Sequence, residues 1–352
     1  MAARPAVPTG GKLRGTAGLD IGDGHIGRTE RRMAANGKTG LLVYTATQAA
    51  RNRFAIDTMV GAARRNGVEL IPVRSDGAID TDALHGRDAY PTARRAMDLP
   101  SISLCVDGGR ERQCYIELDD GRVFDKSNLS FAIPRGPFGM LHAHLDDMGV
   151  PSFNPSGFAS IANSKIATLR IASRLGIRFK PVRAMRDIVS MAGQIRYPIV
   201  AKPDDGHGGA GVRLLECGSD AAPLIGCRRG DVTLMQDVAD SHGQDMRVYV
   251  LDGEIIAAML RTGDGFLSNY TKGGRADIVD IDALDPYIVE SVGKIVGEFG
   301  SFFGGVDFLR DGDGWVLGEI EDAVGCRMLY DKTDIDPFSM FIDSVCRRIG
   351  SD

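Results

Sequence analysis

The stretch from Tyr197 to Leu215, YPIVAKPDDGHGGAGVRLL, restricts this chain more than any other. Ile199, Val200 and Ala201 form a short apolar run and Lys202-Pro203 closes it. A glycine-rich segment (Gly206, Gly208, Gly209, Gly211) then leads into a second apolar run, Val212 to Leu215. The order predicts strand, glycine loop, strand. A glycine loop that cradles phosphate at a helix N-terminus is followed by helical periodicity, which Val212 to Leu215 does not begin, so the pattern argues against a Walker loop or a dinucleotide-binding turn. A loop between antiparallel strands can instead fold over a nucleotide as a lid, its N–H groups meeting phosphate oxygens while Lys202 adds charge from the strand. On this segment alone, a glycine-rich hairpin with a solvated lysine accounts for the pattern equally well.

A second constraint lies near the C-terminus, in GGVDFLRDGDGWVLGEIED. Two strands flank a turn centred near Gly312, and alternation places Val306, Phe308, Val316 and Ile320 on one face and Asp307, Glu319 and Glu321 on the other. Symmetric pairing about Gly312 makes Asp307 and Glu319 diagonal neighbours, about 7–8 Å apart. Carboxylates so close repel one another unless a cation joins them; hard oxygen donors suit Mg²⁺, with Mn²⁺ as an alternative, while a solvated acidic face is the bland reading.

The rest of the chain reads as α/β. Strand Leu41 to Thr45, a helix carrying Ile56, Met59, Val60 and Ala63, and strand Glu69 to Val73 predict a βαβ unit. Ser101 to Val106, Cys114 to Leu118 and Phe131 to Pro134 read as strands, and a helix passes through Leu145. A further helix around Ala162, Ile166, Leu169 and Ala172 ends at Gly176. Leu234 to Val238 reads as a strand, Gly243 to Leu251 and Glu254 to Arg261 as a hairpin about Asp252-Gly253, and Ile288 to Phe299 as a helix. Residues 1–32 are polar and rich in Gly and Arg, without periodicity or a signal-peptide h-region, which predicts disorder; Met33, just ahead of the first strand, is a candidate natural start.

These motifs, in this order, resemble the ATP-grasp superfamily and within it the RimK-type carboxylate–amine ligases. The resemblance rests on IPRGPFG, FNPS…NSKIATLRIASRLGI, the lysine–glycine stretch, QDV, DMRVYVLDGEIIAAMLR, LSNYTKGG, GVDFL and LGEIED. It implies an ATP-grasp fold of mixed α/β (α+β) class behind an N-terminal α/β lobe. The expected layout is an extension over 1–38, a pre-ATP-grasp domain over 39–155 and an ATP-grasp domain over 156–350, with a lid at 180–238 and a C-terminal subdomain at 239–350.

For the site, the resemblance implies that Lys165 and Lys202 contact ATP phosphates under the loop of Gly206, His207, Gly208, Gly209 and Gly211. Adenine falls at Gln236, Asp237 and Val238. Asn269 and Lys272 face the triphosphate, and Asp307, Glu319 and Glu321 hold Mg²⁺. Arg247 and Arg261 are the catalytic candidates, because a guanidinium can hold the anionic acyl phosphate and tetrahedral intermediate bidentately. Arg135 stands where such enzymes present a residue to the substrate, a surface arginine being the alternative. The chain departs from the family in having Glu321 where Asn is usual and AVGCRMLY after it, so substrate identity does not transfer.

The expected activity is ATP-dependent amide formation between small amino-acid-like carboxylate and amine substrates. The alternatives are modification of a precursor peptide and nucleotide binding without catalysis. A formal net charge of -5 over 352 residues lacks the basic field of a nucleic-acid binder, and no apolar run approaches the ~20 residues that cross a bilayer. Six cysteines without a CxxC pair predict reduced thiols and a cytoplasmic setting; a homo-oligomer stays open. His142 and His144, two residues apart on a helix, face different ways and read as structural.

Overall fold

In the computed structural model, β1 (Thr39–Tyr44) leads through α1 (Ala46–Arg51) and α2 (Arg53–Arg65) to β2 (Glu69–Arg74), which pairs with β1 in parallel. The expected βαβ unit is present, and α2 buries Ile56, Met59 and Ala63 as its spacing requires. The described residues are 37–75, 98–108, 113–185, 195–206, 209, 211–220, 232–241, 243–263 and 274–350. The expectations for residues 1–32 lie outside them.

β3 (Ile102–Asp107), β4 (Gln113–Leu118) and β5 (Val123–Phe124) form a small antiparallel sheet, and β6 (Phe131–Pro134) joins β1 in parallel to give the order β2-β1-β6. Then follow α3 (Gly139–Met148), α4 (Ser156–Ala162) and α5 (Lys165–Arg174). The single helix expected from Ala162 to Ala172 is therefore two. Ser164 interrupts it by capping α5, its hydroxyl accepting from the Ala167 N–H at 3.2 Å, which satisfies one orphan donor of the new helix.

β7 (Val182–Met185), β8 (Ile199–Pro203), β9 (Arg213–Leu215) and β10 (Thr233–Asp237) form an antiparallel sheet of order β7-β10-β8-β9. β8 and β9 flank the glycine loop and pair with each other, the strand–loop–strand that the sequence predicts. β11 (Gln244–Leu251), β12 (Glu254–Thr262), β13 (Arg275–Val279), α6 (Pro286–Phe299), β14 (Phe303–Asp311) and β15 (Gly314–Glu321) supply the largest sheet, of order β13-β12-β11-β14-β15. Asp252 (φ 53) and Gly253 (φ 88) make the tight turn of the β11–β12 hairpin. One sheet face buries Val248, Val306, Phe308, Leu317 and Ile320 with Ile288, Val292 and Ile295 of α6.

α7 (Arg327–Lys332) and α8 (Pro337–Gly350) close the chain. α8 returns to the first lobe: Phe338, Phe341 and Val345 share one core with Ile56, Met59, Phe131 and Phe303, and Asn66 donates to Asp343 at 2.7 Å. The first described strands and the last helix are thus joined through one buried cluster. Among the described residues no helix is long and apolar enough to cross a membrane.

The β14–β15 register differs from the expected one in two ways. Asp311 pairs with Gly314, so the turn is centred half a residue beyond Gly312, and a bulge intervenes between Asp307 and Phe308, where Asp307 pairs with Glu319 but Phe308 with Leu317. Asp307 and Glu319 are direct partners, not diagonal ones. Unbulged pairing would set Val306 opposite Glu319 and turn the glutamates into the core; the extra residue, Gly318, returns them to the face of Asp307. A Cβ at Gly318 would lie 3.2 Å from the Asp307 carbonyl oxygen, so the bulge is built for glycine. The same shift puts Trp315 and Leu317, not Val316, in the core with Val306 and Phe308.

Candidate active site

The cleft is built where three elements meet. Asp204, two residues beyond Lys202, accepts from the Ser164 hydroxyl and the Ile166 N–H, both at 2.8 Å, and so holds the N-terminus of α5 against the end of β8. That clasp brings Lys165 and Lys202 to one cavity, with Gly206, Gly209, Gln236 and Asp237 on the same side. Asp245, Arg261, Asp307, Leu309 and Glu319 face them from the large sheet. Gly211, Val238, Arg247 and Glu321 are described but do not line the cavity. The expectations for His207, Gly208, Asn269 and Lys272 fall outside the described residues.

The sheet side is a set of cross-strand pairs. Arg247 on β11 is the direct partner of Asp307 on β14, which is the direct partner of Glu319 on β15; Asp245 and Arg261 face each other across β11 and β12. Side chains opposite one another in a ladder are about 5 Å apart, so the order of strands orders the charges. Arg247 grips Asp307 bidentately, Nε to Oδ1 at 2.8 Å and Nη2 to Oδ2 at 2.6 Å, and reaches Glu321 at 2.7 Å. Arg261 donates to Asp307 Oδ2 at 2.7 Å and also pairs with Asp245. Burial opposes ionisation of Asp307, but the two guanidiniums outweigh it and hold the carboxyl down at about 2. Burial pushes Glu321 up to about 7 against the pull of Arg247, and the neighbouring Asp307 and Glu319 add to the rise.

The lysine side is different. Lys165 reaches Glu319 at 3.5 Å and donates to the Gly206 carbonyl. Lys202 makes no ion pair among the described residues, and burial pulls its ammonium down to about 8, opposed by Glu319 and helped by Lys165. Cations and carboxylates thus close on each other across a cavity of about 140 Å³. That is below the roughly 300–1,000 Å³ of sites that enclose a ligand.

One oxygen from each of Asp307, Glu319 and Glu321 lies within 4.8 Å of the others, a hard donor set of the kind a divalent cation requires. The residues fit such an ion.

Several contributors carry no sequence signal of their own. Asp204 acts through a carboxylate contact distant in sequence, Gly318 acts through the backbone, and Asp245 is one acid among many in the sequence. Asp322 is 3 % exposed and accepts from Asn154 at 2.7 Å and Asn163 at 3.1 Å, tying β15 to the chain segments on either side of α4. The pattern Asn154…Asn163…Asp322 becomes readable only once the fold joins its members. Arg135 is not a surface arginine: it is 5 % exposed, donates to the Val324 carbonyl at 2.9 Å and lies 5.6 Å and 5.7 Å from the Phe303 and Phe338 rings. Histidines 142 and 144 do face apart, toward Ser152 and the Tyr115 carbonyl.

A glycine-loop hairpin facing a carboxylate sheet across a cleft is the arrangement of ATP-grasp proteins. The RimK-like ATP-grasp domain matches residues 162–345, and the chain belongs to that family. It is 26 % identical over 290 residues to a probable alpha-L-glutamate ligase of Shewanella pealeana; the match covers 72 % of this chain and 62 % of the relative's length. A RimK domain ATP-grasp protein from Sphaerobacter thermophilus superposes with a TM-score of 0.58 at 19 % identity, over 87 % of this chain and 98 % of that one. A RiPP-associated ATP-grasp ligase from Chryseobacterium gregarium, solved with ADP and a leader and core peptide, gives 0.58 at 14 % identity, over 88 % and 97 %. Both structures share the fold.

Proposed function

We propose that the protein is an ATP-dependent carboxylate–amine ligase that joins small amino-acid-like substrates through an acyl phosphate. The observation that carries this reading is the meeting of Lys165 and Lys202 with Arg261, Asp307 and Glu319 at one cleft, with Arg247 paired to Asp307 behind it. No side chain there is placed as a nucleophile, and none is needed. A substrate carboxylate oxygen attacks the γ-phosphorus and ADP leaves; an amine then attacks the acyl carbon, phosphate leaves, and the amine's proton passes to solvent.

Lys165, Lys202 and the N–H groups near Gly206 and Gly209 hold phosphate oxygens, while backbone at Gln236 to Val238 meets the adenine edge. Asp307, Glu319 and Glu321 would hold Mg²⁺, which when bound neutralises phosphate charge and polarises the transferred group. Arg261, anchored by Asp245 and Asp307, offers its guanidinium to the oxyanion, and Arg247 orients Asp307 and Glu321. Incubation with ATP, Mg²⁺, candidate carboxylates and hydroxylamine should release ADP with an equal amount of hydroxamate. Release of AMP and pyrophosphate would mean adenylation and overturn the mechanism. ATP binding without any product across amino acids and peptides would leave a non-catalytic nucleotide-binding protein.

A further inference from the structure

Two aspartates tie the sheet β7-β10-β8-β9 to the rest of the chain, at opposite ends of its strand β10. Asp204 lies beside the start of that strand, its N–H donating to the Val232 carbonyl at 3.1 Å. Its carbonyl accepts from the Lys165 N–H at 3.2 Å and its carboxylate from the Ile166 N–H at 2.8 Å, while the Ser164 hydroxyl takes the Ala167 N–H. The first three N–H groups of α5, which have no partner within the helix, are thereby all spent on protein oxygens. What α5 offers a nucleotide is therefore the side chain of Lys165, whose backbone Asp204 holds. The helix itself is fixed to the large sheet, Ala172 sharing a core with Val306, Leu317 and Ile320. Asp204 also steadies the Lys202 ammonium: burial pulls it down, Glu319 and Asp204 oppose the fall and Lys165 adds to it.

Asp311, the last residue of β14, serves the other end. Its carboxylate accepts from Lys180 Nζ at 3.2 Å, just before β7, and from the Asp240 N–H at 3.0 Å, just after β10. The Asp240 carbonyl accepts in turn from the Gly312 N–H at 3.3 Å. Inside that grip the Lys180 carbonyl accepts from Gln236 Nε2 at 3.0 Å and the Pro181 carbonyl from the Asp237 N–H at 2.9 Å. The segment that would meet adenine is thus pinned through Asp311, and the two lysines through Asp204.

We propose that Asp204 and Asp311 are positioning residues that set the two halves of the nucleotide grip separately, Asp204 the phosphate half through Lys165 and Lys202 and Asp311 the base half through Gln236 to Val238. This division rests on the ATP site of the proposed function. Calorimetry measures ATP affinity directly and adenosine affinity by displacement of ATP. Asp204→Ala should weaken ATP about tenfold and leave adenosine within about twofold, whereas Asp311→Ala should weaken both by the same factor, about threefold to tenfold. Asp204→Asn keeps an oxygen for the Ile166 N–H and can donate to the Ser164 hydroxyl, so it should recover most of the loss. Should Asp204→Ala misfold, Ser164→Ala removes the same carboxylate contact from the other side.

An Asp204→Ala variant that binds ATP as the parent does, while Lys202→Met does not, overturns the role of Asp204 and leaves the phosphate site standing. Parental affinity in Lys202→Met removes that site and the proposal with it. Equal losses of ATP and adenosine in Asp204→Ala mean general loosening and overturn the division. So does an Asp204→Asn variant no better than Asp204→Ala, or an Asp311→Ala variant whose adenosine affinity is unchanged.

Discussion

The two walls of the cleft treat their charges in opposite ways. On the sheet wall, Arg247 and Arg261 are neutralised by Asp307, Asp245 and Glu321 at hydrogen-bond distance, and the carboxyl at the centre is held down at about 2. On the loop wall, Lys202 is buried without an ion pair among the described residues, and its ammonium is pulled down to about 8. The first wall is complete without ligand. The second pairs Lys165 with Glu319 and leaves Lys202 without an ion pair among the described residues, as the proposed phosphate contact requires. The difference teaches which residues serve the fold and the site together and which serve the ligand alone.

Asp307→Asn should break this contrast most severely. It removes the charge shared by two buried guanidiniums, and deleting one partner of a buried ion pair costs about 3–5 kcal/mol. Urea unfolding should show that loss together with abolished ADP release. A variant of parental stability would mean that the sheet wall is not self-neutralised.

Lys202→Met should do the reverse. Removing a desolvated ammonium leaves stability unchanged or raises it, while losing a charge-assisted phosphate contact weakens ATP by about tenfold to a hundredfold. Calorimetric ATP titration beside a thermal melt checks both. Equal ATP affinity in parent and variant would take Lys202 out of the phosphate site.

The sequence exposed the loop wall more faithfully than the sheet wall, for a physical reason. Strand, glycine loop and strand are local, and β8 and β9 appear where composition places them. The helix break at Ser164 and the Asp204 clasp depend on a contact across about 40 positions, which no window along the chain contains. On the sheet wall, alternation put Asp307, Glu319 and Glu321 on one face, but through two errors that cancelled: the turn lies half a residue further on, and the Gly318 bulge restores the parity. Val316 bears the uncorrected part of that error. Burial of Arg135 was illegible because its surroundings, Phe303, Val324 and Phe338, come from the far end of the chain.

Glu321→Gln sharpens the comparison from within the sheet wall. Gln keeps an oxygen acceptor for Arg247, so stability and turnover should change by no more than about 1 kcal/mol, within roughly fivefold in rate. The Mg²⁺ dependence of ADP release should nonetheless move, because one charge leaves the carboxylate set. Identical Mg²⁺ curves would show that Glu321 is solely the partner of Arg247.

The smallest effect is expected from pH, and it tests the loop wall without any mutation. Lys202 loses its proton near pH 8 in the empty site because burial disfavours the charge. Bound phosphate restores that charge and raises the group's pKa, so ATP binding takes up a proton wherever the empty site has lost it. Affinity should therefore be flat below pH 7 and fall as pH rises through 8, by about fourfold between pH 7 and 8.5 for one linked proton. The same linkage acts on folding with the opposite slope: an unfolded chain keeps this lysine protonated up to its ordinary value, so the empty protein gains stability from Lys202 as pH rises above 8. Calorimetry in buffers of different ionisation enthalpy measures the proton uptake directly, and Lys202→Met should abolish it. Uptake that persists in the variant would assign the proton to another group and leave Lys202 charged in the empty cleft.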